Sequence, residues 1–442
     1  MLIGFWGRRR KPKSSVFYSK EGFAAVALSW IILSLIGALP MYLTGEFPSY
    51  IDALFETISG FTTTGSSILS DVETLSRGTA FWRCFTHWIG GMGVLVFIMA
   101  VMPLSDSSSM HLMRAESPGP SVGKLVPKVK TTAMILYGIY VVFTVIEIIA
   151  LLIAGMPLFD SMTLTFGTVG TGGFGLLNSS IASYSTAVQI IITVFMIICS
   201  INFTVYYMFL IKRPKEALMC EEMRYYLLIV FGSALLIAFN IRASFASFGK
   251  AFQQAIFQVA SVISTTGFAT ADFNLWPEFS RMILVLLMFV GACAGSTGGG
   301  FKVSRLIIMV KSVRNEIMSV THPRSVQKVH MDGRRIPDNV VKTVLCYLAG
   351  YVVILIVSVL LISLDNFDMT TNFTAVMATF NNVGPGLNRV GPTGNFGGFS
   401  VLSKLVLMFD MLVGRLELYP MLVIFAPGLW RIHPHRHVGK VQ

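Results

Sequence analysis

Four short stretches carry residue types suited to handling an ion. They read Phe61-Thr62-Thr63-Thr64-Gly65, Val169-Gly170-Thr171-Gly172-Gly173, Ile263-Ser264-Thr265-Thr266-Gly267 and Phe380-Asn381-Asn382-Val383-Gly384. Glycine accepts backbone angles that other residues resist, so successive carbonyl oxygens can be turned toward one axis. Thr, Ser and Asn add further oxygens without fixed charge. Four such turns meeting on an axis would make rings of carbonyls able to replace the hydration shell of a monovalent cation. None contains Asp or Glu, so the carboxylate ring expected of a divalent-selective pore is missing.

Each turn follows a helix-like stretch too short to cross a bilayer: 48–61, 158–169, 250–263 and 369–380. A short helix that enters the membrane and returns is tolerated where it lines a water-filled cavity, and its partly negative C-terminal end would point at the turn. On either side lie long apolar runs, at 22–43, 82–102, 131–154, 186–211, 225–240, 282–293, 340–364 and 402–425. Most have the ~20 residues that a spanning helix needs. Composition agrees, with 54% of the 442 residues apolar and only 13% charged, against about a quarter charged in soluble domains.

The pattern recurs. Asp52 and Asp160 each lie 13 residues before their glycine, and Phe55 and Phe257 each lie 10 before theirs. Helix, short loop-bearing helix and helix thus form a unit that occurs four times. The alternative, that the glycines only let helices pack closely, suits one turn better than four matched ones. The expected fold is an all-α polytopic membrane protein with eight spanning and four pore helices: four helix–pore loop–helix repeats around one central, potassium-channel-like pore. Its expected parts are a basic cytoplasmic N-terminus 1–17, units at 18–103, 131–211, 222–318 and 340–428, and a cytoplasmic tail 429–442.

The net charge of +12 is concentrated on one side of this arrangement. Twenty-six of the 34 Lys and Arg fall in the stretch up to Lys20, the linkers 104–130, 212–224 and 302–342, and the tail from Arg431. That is the positive-inside pattern, and it puts both termini in the cytoplasm rather than indicating a nucleic-acid partner. The first apolar run has full spanning length with no small-residue cleavage site after it, so it is expected to be retained. The five cysteines, Cys84, Cys199, Cys220, Cys293 and Cys346, show neither zinc-type spacing nor a disulfide framework and are expected as buried small hydrophobes.

With the four turns, the runs His87-Trp88-Ile89-Gly90-Gly91-Met92-Gly93, Arg114-Ala115-Glu116-Ser117-Pro118-Gly119-Pro120, 291–300 (GACAGSTGGG) and Gly414-Arg415-Leu416-Glu417 resemble the Trk/Ktr/HKT superfamily of potassium transporters, nearest its bacterial Trk branch. The resemblance covers about 18–430. Members of that branch usually begin with an extra helix pair, where this sequence has a short basic stretch. The resemblance implies potassium uptake across the cell inner membrane, with no enzymatic activity and no covalently bound cofactor, potassium being the substrate. It implies potassium ligation at Thr63, Thr64, Gly65, Thr171, Gly172, Gly173, Thr265, Thr266, Gly267, Asn382, Val383 and Gly384. In related plant transporters a serine at the first filter glycine accompanies sodium transport; all four positions here are glycine, which favours potassium. It further implies a homodimer with one pore per subunit and a cytoplasmic TrkA-type ring of nucleotide-binding regulatory subunits.

Beneath the turns, a single helix over 277–318 would measure roughly 60 Å, twice the hydrocarbon thickness. It is expected to break at the glycine-rich 291–300. The resemblance makes that segment, with Gly295, Ser296, Thr297, Gly298, Gly299 and Gly300, a gating loop; a simple glycine kink is the alternative. Arg415 sits in an apolar run, where a charge nearly always faces a cavity or a partner. The resemblance places it in the pore as a positive barrier, and an ion pair with Glu417 or Glu147 is the alternative. The segment is no phosphate loop, because Phe301 separates Gly300 from Lys302. An intramembrane hydrolase with Ser296 as nucleophile and His87 as base lacks a Gly-x-Ser-x-Gly elbow and leaves the turns unexplained. His87 is expected to be a satisfied packing residue, and His433, His435 and His437 to meet lipid or a partner. Proton- or sodium-coupled symport remains open, with Glu147 and Asp410 as the intramembrane acids that would serve it.

Overall fold

A computed structural model describes residues 19–93, 129–324 and 327–427. The basic N-terminus, most of the linker 104–130 with the Arg114–Pro120 run, and the histidine-bearing tail lie outside the described residues. In chain order the helices are α1 (Ser19–Leu43), α2 (Tyr50–Phe61), α3 (Arg77–Gly91), α4 (Val129–Ile153), α5 (Leu158–Val169), α6 (Thr186–Cys199), α7 (Phe203–Leu210), α8 (Pro214–Leu218), α9 (Glu221–Ile241), α10 (Phe248–Ile263), α11 (Glu278–Val290), α12 (Val303–Thr321), α13 (Asp338–Ile362), α14 (Met369–Phe380), α15 (Val401–Leu416) and α16 (Leu418–Val423). A two-stranded antiparallel hairpin, β1 (His330–Met331) with β2 (Arg334–Arg335), joins α12 to α13.

The short helices stand where the sequence expects them. Ser49, Ser247 and Asp368 cap α2, α10 and α14 by accepting the amides of Asp52, Lys250 and Thr371, so each starts at a fixed residue. Each packs between the helix before it and the helix after it: α2 between α1 and α3, α5 between α4 and α6, α10 between α9 and α11, α14 between α13 and α15. The second helix of each group also contacts the short helix of the next. These contacts are α3 with α5, α6 with α10, α11 with α14, and α15 back with α2. The last of them closes the circuit.

Burial is inverted relative to a soluble protein. The short helices bury polar side chains such as Thr57, Ser59, Thr165, Gln258, Thr374 and Thr379. The long helices instead expose Ile36, Ile153, Leu228, Val353 and Leu360. A polar interior with an apolar exterior is what a bilayer solvent selects. Cys84, Cys199 and Cys293 are buried as expected, whereas Cys220 is only partly buried and Cys346, on α13, is exposed.

Of the eight spanning helices expected, one of them broken at 291–300, not all the others are continuous among the described residues. Among the described residues four helices are long and apolar enough to cross in one piece, Glu21–Leu43, Thr131–Ile153, Glu221–Ser244 and Asp338–Asp365; counting the bent pair α6–α7 as one span makes five. Three of the second helices, those of the last three units, are interrupted. α11 stops at Val290 and α12 begins at Val303, the expected break. α6 and α7 are bent by 88°, because Asn202 caps a new helix by accepting the Thr204 amide. α15 ends at Leu416, because the next residue, Glu417, has a positive φ of 65° that is incompatible with continuing the helix. Hydropathy alone reads through such breaks because one or two polar residues barely lower a long average.

Candidate ion-coordination site

The four turns have one backbone solution. Two residues before the glycine, Thr63, Thr171, Thr265 and Asn382 adopt left-handed φ of 54°, 54°, 60° and 54°, and Gly65, Gly173, Gly267 and Gly384 follow at 81°, 78°, 87° and 97°. Each left-handed residue donates its amide to the carbonyl three residues back. The residue after it donates five back, as in Thr64 N to Ser59 O (2.8 Å), Gly172 N to Gly167 O (2.7 Å), Thr266 N to Ser261 O (2.9 Å) and Val383 N to Ala378 O (2.8 Å). These bonds satisfy helix-terminal carbonyls in the manner of a left-handed C-cap. The chain therefore leaves each short helix by a fixed path.

The turns also abut in order. A Cβ on Gly65 would collide with the carbonyl oxygen of Gly172, one on Gly173 with that of Thr266, and one on Gly267 with that of Val383. One on Gly384 would lie 2.7 Å from Thr64 O. Each glycine thus meets the carbonyl just before the glycine of the next turn, around a closed ring. Direct bonds seal the junction of the last turn with the first: Ser66 Oγ donates to Gly384 O (3.0 Å), and Asn382 Nδ2 to Thr64 Oγ1 (2.9 Å). All four glycines line one cavity of about 150 Å³, whose walls include no Asp or Glu.

A rigid shell holds the ring. The buried His87 ring spans the first two turns: with Nε2 accepting the Phe174 amide (3.3 Å), Nδ1 donates to Gly60 O (2.9 Å). The expectation of a satisfied histidine holds. Ser296 Oγ donates to Cys293 O (2.7 Å), so it and His87 are occupied elsewhere and form no nucleophile–base pair. Sequence reading missed the buried pair Glu56–Arg83 (2.6 Å). Glu56 also accepts Ser67 Oγ and the Ile68 amide, while Arg83 donates to Gly175 O and stacks on Phe174. The pair fastens the exit of the first turn to that of the second. Lys404 to Asp52 (2.6 Å) does likewise for the last unit and the first short helix.

The segment 291–300 lies directly under the turns. Gly299 N donates to Thr265 Oγ1 (2.6 Å), and a Cβ on Gly299 would meet Asn381 O at 2.7 Å. The segment also fills the α6–α7 break, through Cys293 N to Ser200 O (3.1 Å) and Phe203 N to Gly295 O (3.0 Å). The buried Lys302 ammonium bonds the carbonyls of Gly298 and Gly299. Glu222 Oε1 accepts the amides of Ala294 (2.7 Å) and Ser304 (2.9 Å), gripping the loop and the helix after it. Charged residues flanking an apolar run were the available signal for both. The half-buried Arg415 donates to Thr63 Oγ1 (3.2 Å), Thr297 O (2.7 Å), Gly91 O (2.6 Å) and Gly90 O. Glu417, considered as its partner, pairs instead with Arg305.

Comparison with known proteins meets this geometry. The family described as TrkH, cation transport protein, matches residues 4–432. The chain is 36% identical over 436 residues to the Trk system potassium uptake protein TrkH of Salmonella typhimurium, covering 96% of this chain and 89% of that one. It is 32% identical over 418 residues to TrkG of Escherichia coli, covering 93% and 86%. The crystal structure of the potassium transporter TrkH from Vibrio parahaemolyticus superposes with a TM-score of 0.86 at 32% identity, covering 96% of this chain and 89% of that one. The chain belongs to the TrkH family of cation transport proteins.

Proposed function

We propose that this protein conducts potassium into the cell through one pore at the centre of four helix–turn–helix units, with the carbonyls of Thr63, Thr64, Thr171, Gly172, Thr265, Thr266, Asn382 and Val383 as the ion's ligands. The observation that carries this reading is the closed ring of turns, each glycine against the next turn's carbonyl. Oxygen cages without carboxylates suit a weakly hydrated monovalent ion. Segment 291–300 with Arg415 is the gate, since both lie under the ring and bond to each other through Thr297 O. The end of the helices bearing the basic linker 302–342 faces the cytoplasm of a bacterial inner membrane. A homodimer, and a TrkA-type nucleotide-binding ring docked on that basic face, complete the assembly.

Rubidium uptake into vesicles with sodium as competitor tests the core of this reading. Uptake that sodium blocks as effectively as potassium does would refute it. Deuterium exchange across 302–342 with and without the purified ring tests docking, and unchanged protection would count against it. Proton- or sodium-coupled symport is the second reading. The fully buried acids Glu147, and Asp410 with its 2.7 Å bond from Ser358, favour it. Rubidium accumulation driven by an imposed pH or sodium gradient would select it over a channel.

A further inference from the structure

On the side opposite the turns, a cavity of about 1160 Å³ opens between α8, the first two turns of α9, the start of α12, the β1–β2 hairpin and the start of α13. It exceeds the roughly 300–1,000 Å³ of ordinary small-molecule pockets. Its charges are asymmetric in a way that composition hides. Four carboxylates line it, and all four are engaged. Glu216 pairs with Arg213, and Glu221 with Lys311. Asp332 Oδ1 accepts the Glu221 amide (2.7 Å), and Glu222 Oε1 accepts those of Ala294 and Ser304. The two arginines of the lining, Arg224 and Arg334, are exposed, and neither guanidinium has a hydrogen-bond or ion-pair partner among the described residues. The cavity therefore offers two guanidinium forks without partners, while among the described residues Glu216 and Glu221 are paired with cations and Glu222 and Asp332 accept backbone amides. Beside Arg224 the wall becomes apolar and open to the outside, with Tyr225 at 44% and Leu228 at 67% exposure on the spanning helix α9.

We propose that this cavity binds an anionic phospholipid, its phosphate held by Arg224 and Arg334 and its acyl chains lying along α9 past Leu228. Guanidinium forks match phosphate oxygens in pairs. Basic pockets between spanning helices on the cytoplasmic side are where anionic headgroups settle, and tyrosine marks headgroup depth. The occupant also reaches the ion path. Glu222, on the same α9 turn as the cavity wall, grips Ala294 and Ser304 on the loop and the helix that follows it. Lipid occupancy thereby biases the position of segment 291–300. This consequence rests on the transport reading; the binding site itself does not.

The test uses the full-length purified chain, delipidated and then titrated with phosphatidylglycerol or phosphatidylcholine, with retained lipid counted by native mass spectrometry. Each arginine near a surface phosphate contributes about 1 kcal/mol, so Arg224→Gln with Arg334→Gln weakens phosphatidylglycerol retention about thirtyfold. The paired Lys substitutions, which keep the charge, retain most of it. A control with Arg314→Gln and Arg324→Gln, exposed arginines outside the cavity lining, keeps wild-type retention. Because all these side chains are exposed, melting temperatures stay level and retention is read on folded protein. Unchanged retention in the Gln pair, equal loss in the control, or equal retention of phosphatidylcholine each overturns the proposal. Rubidium flux in vesicles of rising phosphatidylglycerol content changes for the wild type and stays flat for the Gln pair; a flat wild-type response overturns the coupling to the loop. Vesicles without flux at any composition refute the transport reading and leave retention to decide the site.

Discussion

On the gate proposed above, replacing Arg415 by alanine removes two obstacles at once, and the structure sets their size. One is electrostatic: a guanidinium ~6 Å from a passing cation, at an effective dielectric near 20, raises the ion's energy by up to about 3 kcal/mol before pore water screens it. The other is mechanical. The 2.7 Å bond to Thr297 O ties the loop to α15, and a charge-assisted bond of this kind is worth about 1.5–3 kcal/mol. Both act at one constriction, so they do not sum. The expected result for Arg415→Ala is a rise in rubidium flux of roughly tenfold to a hundredfold, with the potassium-to-sodium ratio unchanged because the proposed filter lies in the turns above. Arg415→Lys keeps the charge but loses the fork that reaches Thr297, Gly90 and Gly91 together, so its flux rises less. Shortening 291–300 in the Arg415→Ala background adds less than it does alone, since the two groups are bonded. The assay is initial rubidium uptake per folded protein, with the melting temperature measured in parallel. Flux equal to the parent at an unchanged melting temperature would refute the gate; a collapsed melting temperature without added flux would make Arg415 a structural clasp.

Gly65→Ser forces a side chain into left-handed backbone and against the Gly172 carbonyl. Strain of about 1–3 kcal/mol in that ring lowers potassium-over-sodium preference about tenfold, and an unchanged flux ratio would sink the filter assignment. Arg83→Met leaves the Glu56 carboxylate buried and unpaired, which costs about 3–5 kcal/mol. Adding Glu56→Gln recovers much of that loss in a thermal melt, and no recovery would mean that the pair is not the unit of stability. Asp368 is held below the ordinary carboxylate range by the Thr371 hydroxyl. It therefore stabilises the fold above the unfolded pKa near 3.8, and the benefit disappears as pH falls through the lower, folded value. Asp368→Asn keeps the cap and should show a shallower fall in melting temperature below about pH 4; parallel curves would contradict this.

The sequence disclosed what is local. The short helices, the glycine turns and the break after Val290 all come from cap residues, glycine spacing and length limits that act within a few residues. It hid what is assembled across the chain. Glu56 and Arg83 read as isolated charges until folding buries them together. Lys302 resembled a failed phosphate-loop lysine, whereas its ammonium bonds the carbonyls of the very glycines before it. The second helices deceived for a different reason. Ser200, Asn202 and Glu417 interrupt runs whose mean hydropathy stays high, and only the docking of 291–300 into the α6–α7 gap and of Glu417 onto Arg305 makes the interruptions necessary.

The junction between the last unit and the first has a consequence for how the chain is made. Ser66 with Gly384 and Thr64 with Asn382 are 318 positions apart in the chain, and Asp52 with Lys404 and Thr63 with Arg415 are 352 apart. Domains generally form from the N-terminus as synthesis proceeds, and contacts of such separation form last. Until residue 384 has left the ribosome and entered the bilayer, the ring of turns lacks its fourth member. On the proposed reading, a nascent or truncated chain therefore holds no finished ion path. The final quarter of the polypeptide is the piece that completes the circle.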